Sequence, residues 1–172
     1  MKIAFSGVQG TGKTTVINAL KPVLTDFVFL TNGIRNLGVH INENGDDDTQ
    51  IAIARLHEKN LTYENSVMDR CFLDFFAYTR WMKNHGKISD SIYSSAEKFY
   101  TENISKYSVI FYIEPEFEIV ADGVRSTDPV FRDEVLKEFR TLVPALNNVV
   151  RLTGSVQDRV HQALVKIREE KK

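Results

Sequence analysis

The stretch Gly7-Val8-Gln9-Gly10-Thr11-Gly12-Lys13-Thr14 matches G-x-x-x-x-G-K-[ST] at every fixed position. It lies between a short apolar run, Lys2 to Ser6, and a segment of helical periodicity, Lys13 to Leu24. A glycine-rich turn between a strand and a helix commits the chain to an α/β arrangement. The glycines let the backbone wrap closely enough for successive N–H groups to converge on phosphate oxygens, and the helix N-terminus adds the positive end of its dipole. Lys13 is then placed to reach β- and γ-phosphates, and the Thr14 hydroxyl to ligate Mg²⁺. The bland alternative, a glycine turn before a helix with a surface lysine, does not account for fixed residues and context agreeing.

The rest of the chain continues the pattern. Short apolar runs at Phe27 to Leu30, Ser66 to Asp69, Tyr107 to Ile113 and Val149 to Leu152 read as further strands, buried on both faces as in a parallel sheet. Helices are expected over Asp48 to Lys59, Phe72 to His85, Asp90 to Ser105, Val130 to Leu142 and Ser155 to Glu170. Asp128 can cap the fifth of the chain's six helices, with Pro129 in its first turn. The charged end, Arg168 to Lys172, reads as a frayed and solvated terminus.

Composition sets the bounds. At 172 residues, 42% hydrophobic and 26% charged, the chain is expected to form one domain over 1–172. The 22 Lys+Arg against 23 Asp+Glu leave a net charge of −1, so no global positive field favours nucleic acid or an anionic membrane. One cysteine, Cys71, excludes an intrachain disulfide, and four scattered histidines offer no zinc-site spacing. The opening run is too short for a signal peptide and nothing approaches eighteen consecutive apolar residues, which reads as a soluble, cytoplasmic protein.

Around the loop, other residues suggest chemistry. Asp69 ends the run Ser66-Val67-Met68. On a parallel strand beside the first it would bring a carboxylate to the carboxyl edge near Lys13 and Thr14, to organise Mg²⁺ or take the proton of an attacking hydroxyl. Arg70 supplies a planar cation suited to phosphate. Arg125 and Arg132, seven residues apart after the fourth strand, are candidates for a lid that closes over the γ-phosphate, with a solvated surface loop as the alternative. Thr31, Asn32 and Arg35 follow the second strand and could hold the acceptor, although a helix-capping Asn32 and an exposed Arg35 explain the same residues. The acidic run Glu43 to Asp48 reads as a loop and helix N-terminus rather than a metal site. Phe72, Phe75, Phe76, Tyr78 and Trp81 read as helix packing, with one or two free to stack on a base or face a partner in a homodimer. Cys71 reads as a buried structural thiol.

Guanine-reading Asn-Lys-x-Asp is absent, and no aspartate is followed three residues later by glycine, which argues against a GTPase. Asp69 is followed by Arg70 rather than by the glutamate of a motor ATPase. With Met68-Asp69-Arg70, Leu73-Asp74, Ala77-Tyr78, Asp122-Gly123-Val124-Arg125, Arg132 and Leu152-Thr153-Gly154-Ser155 with Arg159 beside the glycine loop, the chain resembles P-loop nucleoside and nucleotide kinases. The branch is the one that includes thymidylate kinases and ribosylnicotinamide-kinase-type AAA domains. The resemblance implies a P-loop NTPase fold, a five-stranded parallel sheet sandwiched between helices with a short arginine-bearing lid. It implies ATP and Mg²⁺ as cofactors, with Thr15, Gly154 and Ser155 joining Gly7 to Thr14 in binding ATP and the Thr153 to Ser155 turn packing against adenine. Asp69 would be the catalytic or Mg²⁺-organising acid, Arg70 an acceptor-phosphate ligand, and Arg125 and Arg132 the lid arginines. The expected acceptor is a (deoxy)nucleoside monophosphate. A hydroxyl of nucleic acid, at a 5′ end or on a hydroxymethylated base, stands second, and a nucleotide-dependent regulatory module that turns over slowly or not at all is the alternative from a different class. Cys71 stands where typical thymidylate kinases carry tyrosine.

Overall fold

The computed structural model describes residues 1–31, 33–116 and 128–171, apart from the Arg35 side chain. Five strands alternate with six helices: β1 Lys2–Ser6, α1 Lys13–Leu20, β2 Val28–Leu30, α2 Asp47–Asn60, β3 Ser66–Asp69, α3 Phe72–Asn84, α4 Asp90–Asn103, β4 Val109–Tyr112, α5 Pro129–Leu142, β5 Val149–Arg151 and α6 Val156–Glu170. All the strand pairs are parallel, in the order β2-β3-β1-β4-β5. Sequence order reverses on either side of β1, so the loop after β1 opens at a topological switch point, where open α/β sheets bind ligands.

The period of two along β1 divides the core. Ile3 and Phe5 face one layer with Val16, Ile17 and Leu20 of α1 and Ala163 and Ile167 of α6. Ala4 faces the other, with Phe72, Phe75 and Phe76 of α3, Ala96 of α4 and Val135 and Phe139 of α5. Ile3 and Phe5 have no exposed surface, and truncating a fully buried phenylalanine to alanine costs about 3–5 kcal/mol.

Several element ends differ from the sequence reading. α1 stops at Leu20, four residues before the periodic pattern ends: Lys21 still has helical dihedrals and bonds the Ile17 carbonyl, but Pro22 has no N–H to continue the ladder. The C-terminal tail docks rather than fraying: α6 runs to Glu170, and Lys171 Nζ donates to Asp26 Oδ2 at 2.9 Å over the Phe27 ring. The central strand of the fourth run is also shorter than its apolar pattern, since Tyr107 and Ile113 are buried but outside β4.

The remaining helix starts follow their capping residues. Asp128 Oδ1 accepts from the N–H of Val130 at 2.8 Å with Pro129 in the first turn, and Ser155 caps α6 reciprocally with Asp158. Asp46, in the acidic run, caps α2 by accepting from the Thr49 N–H at 2.9 Å, with Asp47 and Asp48 in the first turn where the helix dipole favours them.

Candidate active site

The glycine loop is shaped by one close approach. Gly7 has φ +135°, and a Cβ there would sit 2.3 Å from the Ile113 carbonyl oxygen, so no side chain fits. Gly12, at φ +86°, starts α1 without any side-chain cap, and the first turn carries no acid. The N–H groups at the start of α1 therefore stay available to an anion. Inside the loop Lys13 is 6% exposed, and its ammonium donates to the carbonyls of Gly7 and Val8, both at 2.7 Å. The loop thus concentrates one buried positive charge and a set of N–H dipoles at the carboxyl edge of the sheet.

Asp69 ends β3 beside β1, paired in register with Phe5, as the parallel reading requires. Its Oδ2 accepts from the Thr14 hydroxyl at 2.8 Å. Arg70 follows with φ +83°, an uncommon conformation for a residue with a side chain, and its N–H still reaches the Phe5 carbonyl at 2.9 Å. Strain of this kind, where the sheet over-determines the backbone, gathers at functional sites.

A cavity of about 240 Å³ connects these groups. Its lining joins the loop from Gln9 to Thr15, Asp69, Arg70 and Asp74 to the apolar and aromatic side chains of Ile34, Ile41, Ile53, Phe75, Tyr78 and Met82. Gln50, 3% exposed, also lines it, its Oε1 accepting from the Thr79 hydroxyl at 2.6 Å. A smaller cavity beside it is lined by Thr31, Gly33, Ile34, His57, Asn60 and Asp69, among others. Phe75 and Tyr78 line the main cavity, whereas Phe72, Phe76 and Trp81 are buried in packing.

Lys13, Thr14, Thr15, Asp69 and Arg70 are therefore brought to one cavity, with Thr31 alongside. Arg132 sits in the first turn of α5 and is not part of the cavity lining. Burial lowers the Arg132 pKa, partly offset by Asp133. Gly154 and Ser155 lie outside the cavity at the start of α6, and that helix reaches the glycine loop by another route: Arg159 Nη1 donates to the Thr11 carbonyl at 2.9 Å and its Nη2 pairs with Glu116 at 3.0 Å. Asn32, Arg125 and the Arg35 side chain lie outside the described residues, so the proposed lid is represented here by Arg132 alone. Cys71 is buried, and burial followed by the nearby Asp74 carboxylate raises its thiol pKa well above the usual value, as an inert structural cysteine requires.

Two contributors were not assigned a role from the residues. Asp74, 1% exposed, accepts at Oδ1 from the Gly7 N–H at 3.3 Å and from Arg70 Nη1 at 3.1 Å, and at Oδ2 from the Cys71 N–H at 3.1 Å. The four-residue spacing of Arg70 and Asp74 at a helix start was the available signal. Gln50 carried none, because its place in the wall depends on how α2 packs against α3.

A sequence model described as AAA domain matches residues 2–159. No curated protein matches the chain. Among solved structures, a deoxyadenosine kinase from M. mycoides with dCMP and dCDP bound superposes with a TM-score of 0.74 at 15% identity, covering 98% of this chain and 99% of that one. NadR in complex with NR gives 0.71 at 20% identity, over 98% of this chain and 50% of that one. A Candida albicans thymidylate kinase gives 0.66 at 14% identity, over 98% and 91%. The architecture is that of the P-loop nucleoside and nucleotide kinases, as the sequence resemblance implied.

Proposed function

The chain belongs to the AAA domain family, and from that premise we propose that it is a P-loop kinase transferring the γ-phosphoryl group of ATP to a nucleoside monophosphate. One observation carries the reading: a phosphate-binding loop, a carboxylate and an arginine open into the same cavity, whose lining also includes apolar and aromatic side chains. A nucleotide acceptor has that polarity, charged at its phosphate and flat and apolar at its base.

The donor set fits Mg²⁺. The Thr14 hydroxyl and the Asp69 carboxylate, 2.8 Å apart, offer hard oxygens at the mouth of the loop. Among the described residues no group of three or more His, Cys, Asp or Glu could hold a metal, which suits an ion bound mainly by phosphate oxygens and water. When bound there, Mg²⁺ would neutralise charge on the transferred phosphoryl group.

Lys13 and the N–H groups of the loop orient the γ-phosphoryl group and stabilise the charge that spreads over its oxygens. Arg70 orients the acceptor phosphate, and Asp69 is positioned to accept hydrogen bonds from Thr14 and to order the reacting oxygens around it. Phe75 and Tyr78 give the base an aromatic wall.

A nucleoside acceptor is the second reading. It is favoured by the Arg70 guanidinium being engaged by Asp74 at 3.1 Å, and two of the structural neighbours were solved as a deoxyadenosine kinase and as a complex with NR. Matched nucleosides and nucleoside monophosphates offered with labelled ATP separate the two. Label in nucleoside diphosphates supports the first reading, and label confined to monophosphates assigns the second.

A further inference from the structure

We propose that Asp74 and Tyr78 are positioning residues that hold the Arg70 guanidinium at a fixed offset from the phosphate-binding loop, an inference that rests on Arg70 meeting the acceptor. Asp74 and Tyr78, four residues apart, share one face of α3, and Arg70, two residues before the helix starts, turns its side chain onto that face. The Arg70 backbone is pinned to β1 through Phe5. Its side chain turns back along α3, with Nη1 3.1 Å from Asp74 Oδ1 and Cζ 5.4 Å from the centroid of the Tyr78 ring.

Each of the two α3 residues has a second arm that reaches the loop. Asp74 accepts from the N–H of Gly7, the first loop residue, at 3.3 Å. The Tyr78 hydroxyl donates to Gln9 Oε1 at 2.7 Å. A helix cap needs only the bond from the Cys71 N–H to Asp74, and a packing aromatic needs no hydroxyl. The additional arms connect the acceptor cation to the first and third residues of the loop, Gly7 and Gln9, so the arginine and the loop are tied to each other. A fully buried carboxylate is tolerated only when its oxygens are well paired, and here two backbone N–H donors and one cation meet it.

The benefit is distance control. In phosphoryl transfer the protein contributes mainly positioning, and a displacement of about 1 Å between bound groups costs on the order of 10²-fold in rate. Tethering Arg70 to the loop that holds the donor phosphates fixes the separation of the two reacting ends before either substrate arrives.

The test is a double-mutant cycle on the full chain, with the nucleoside monophosphate that the wild-type protein phosphorylates fastest as probe and ATP saturating. Tyr78→Phe keeps the ring and the packing and removes only the arm to Gln9; Asp74→Asn keeps the shape and removes the charge. Each is expected to raise the acceptor KM about tenfold, Tyr78→Phe with an unchanged melting temperature and Asp74→Asn with a lowered one, and to add less than about twofold to the effect of Arg70→Ala, because the three act as a unit. Should Asp74→Asn fail to fold, Tyr78→Phe carries the cycle alone. Effects that multiply with Arg70→Ala, or an unchanged acceptor KM, overturn the inference while leaving the kinase reading intact. No transfer by the wild type to any nucleoside or monophosphate overturns the reading on which it rests.

Discussion

Thr14 Oγ1 donates to Asp69 Oδ2 at 2.8 Å, joining the first turn of α1 to the carboxyl end of β3. The two residues are 55 positions apart and meet because β3 lies beside β1 in a parallel sheet. On the proposed reading, Asp69→Asn slows phosphoryl transfer by ~10²–10⁴-fold while ATP still binds. Thr14→Ala raises the Mg²⁺ concentration needed for half-maximal activity. Steady-state rates across a Mg²⁺ series, with nucleotide binding by calorimetry, check both; a near-normal rate for Asp69→Asn would make that residue structural.

Gly7 predicts a different kind of failure. With φ +135° and a Cβ position 2.3 Å from a main-chain oxygen, Gly7→Ala must shift the Ile113 backbone or distort the loop. Urea unfolding should show a loss of at least ~2 kcal/mol, and phosphate binding should weaken in the same variant. Gly38→Ala makes the control: it too has positive φ, at +69°, but no atom lies near its Cβ position, so its cost should be smaller.

His57 sets a pH dependence. The imidazole is 1% exposed, packed on the rings of Phe72 and Phe75, and neither ring nitrogen has a hydrogen-bond partner among the described residues. Burial, with the Arg70 charge adding to it, lowers its pKa to about 3 from an ordinary 6.5. The unfolded chain therefore takes up a proton below pH 6.5 that the folded one refuses down to about pH 3, and stability falls across that window as the pH drops, by up to ~1.4 kcal/mol per pH unit. His57→Leu should flatten the slope between pH 6 and 4 relative to wild type and raise stability at neutral pH by removing two unpaired nitrogens. Chemical denaturation at several pH values measures it, and an identical slope in the variant would refute the assignment.

How much of this was legible in the sequence depended on the range of the interaction. The glycine loop, the β1-loop-α1 order and the cap at Asp128 are local, and each stands where its residues implied; the caps at Asp46 and Ser155 are equally local but were not read from the residues. Asp69 could be placed because parallel order carries strand ends to one edge. The walls of the cavity could not be read: Gln50, Ile53 and Met82 come from two helices whose approach depends on packing, and in sequence they look like any amphipathic pattern. Lys171 read as a solvated tail because its partners, Asp26 and Phe27, lie 145 and 144 positions earlier and nothing local announces them.

The proposed arginine lid has a simple kinetic consequence. Arg132→Ala and Arg125→Ala should each lower kcat, by ~10³-fold for whichever one closes on the γ-phosphate, with little change in the acceptor KM. Untouched kcat in both variants removes the lid from the account.

The central claim is phosphoryl transfer from ATP to a small nucleoside or nucleotide acceptor, and the most direct measurement is label from the γ-position of ATP followed into such acceptors with Mg²⁺, wild type against Lys13→Ala. The account predicts label in a nucleoside diphosphate or monophosphate with the wild type and none with Lys13→Ala, both proteins folded. Label appearing only in DNA ends or inorganic phosphate, or appearing equally with Lys13→Ala, would contradict it.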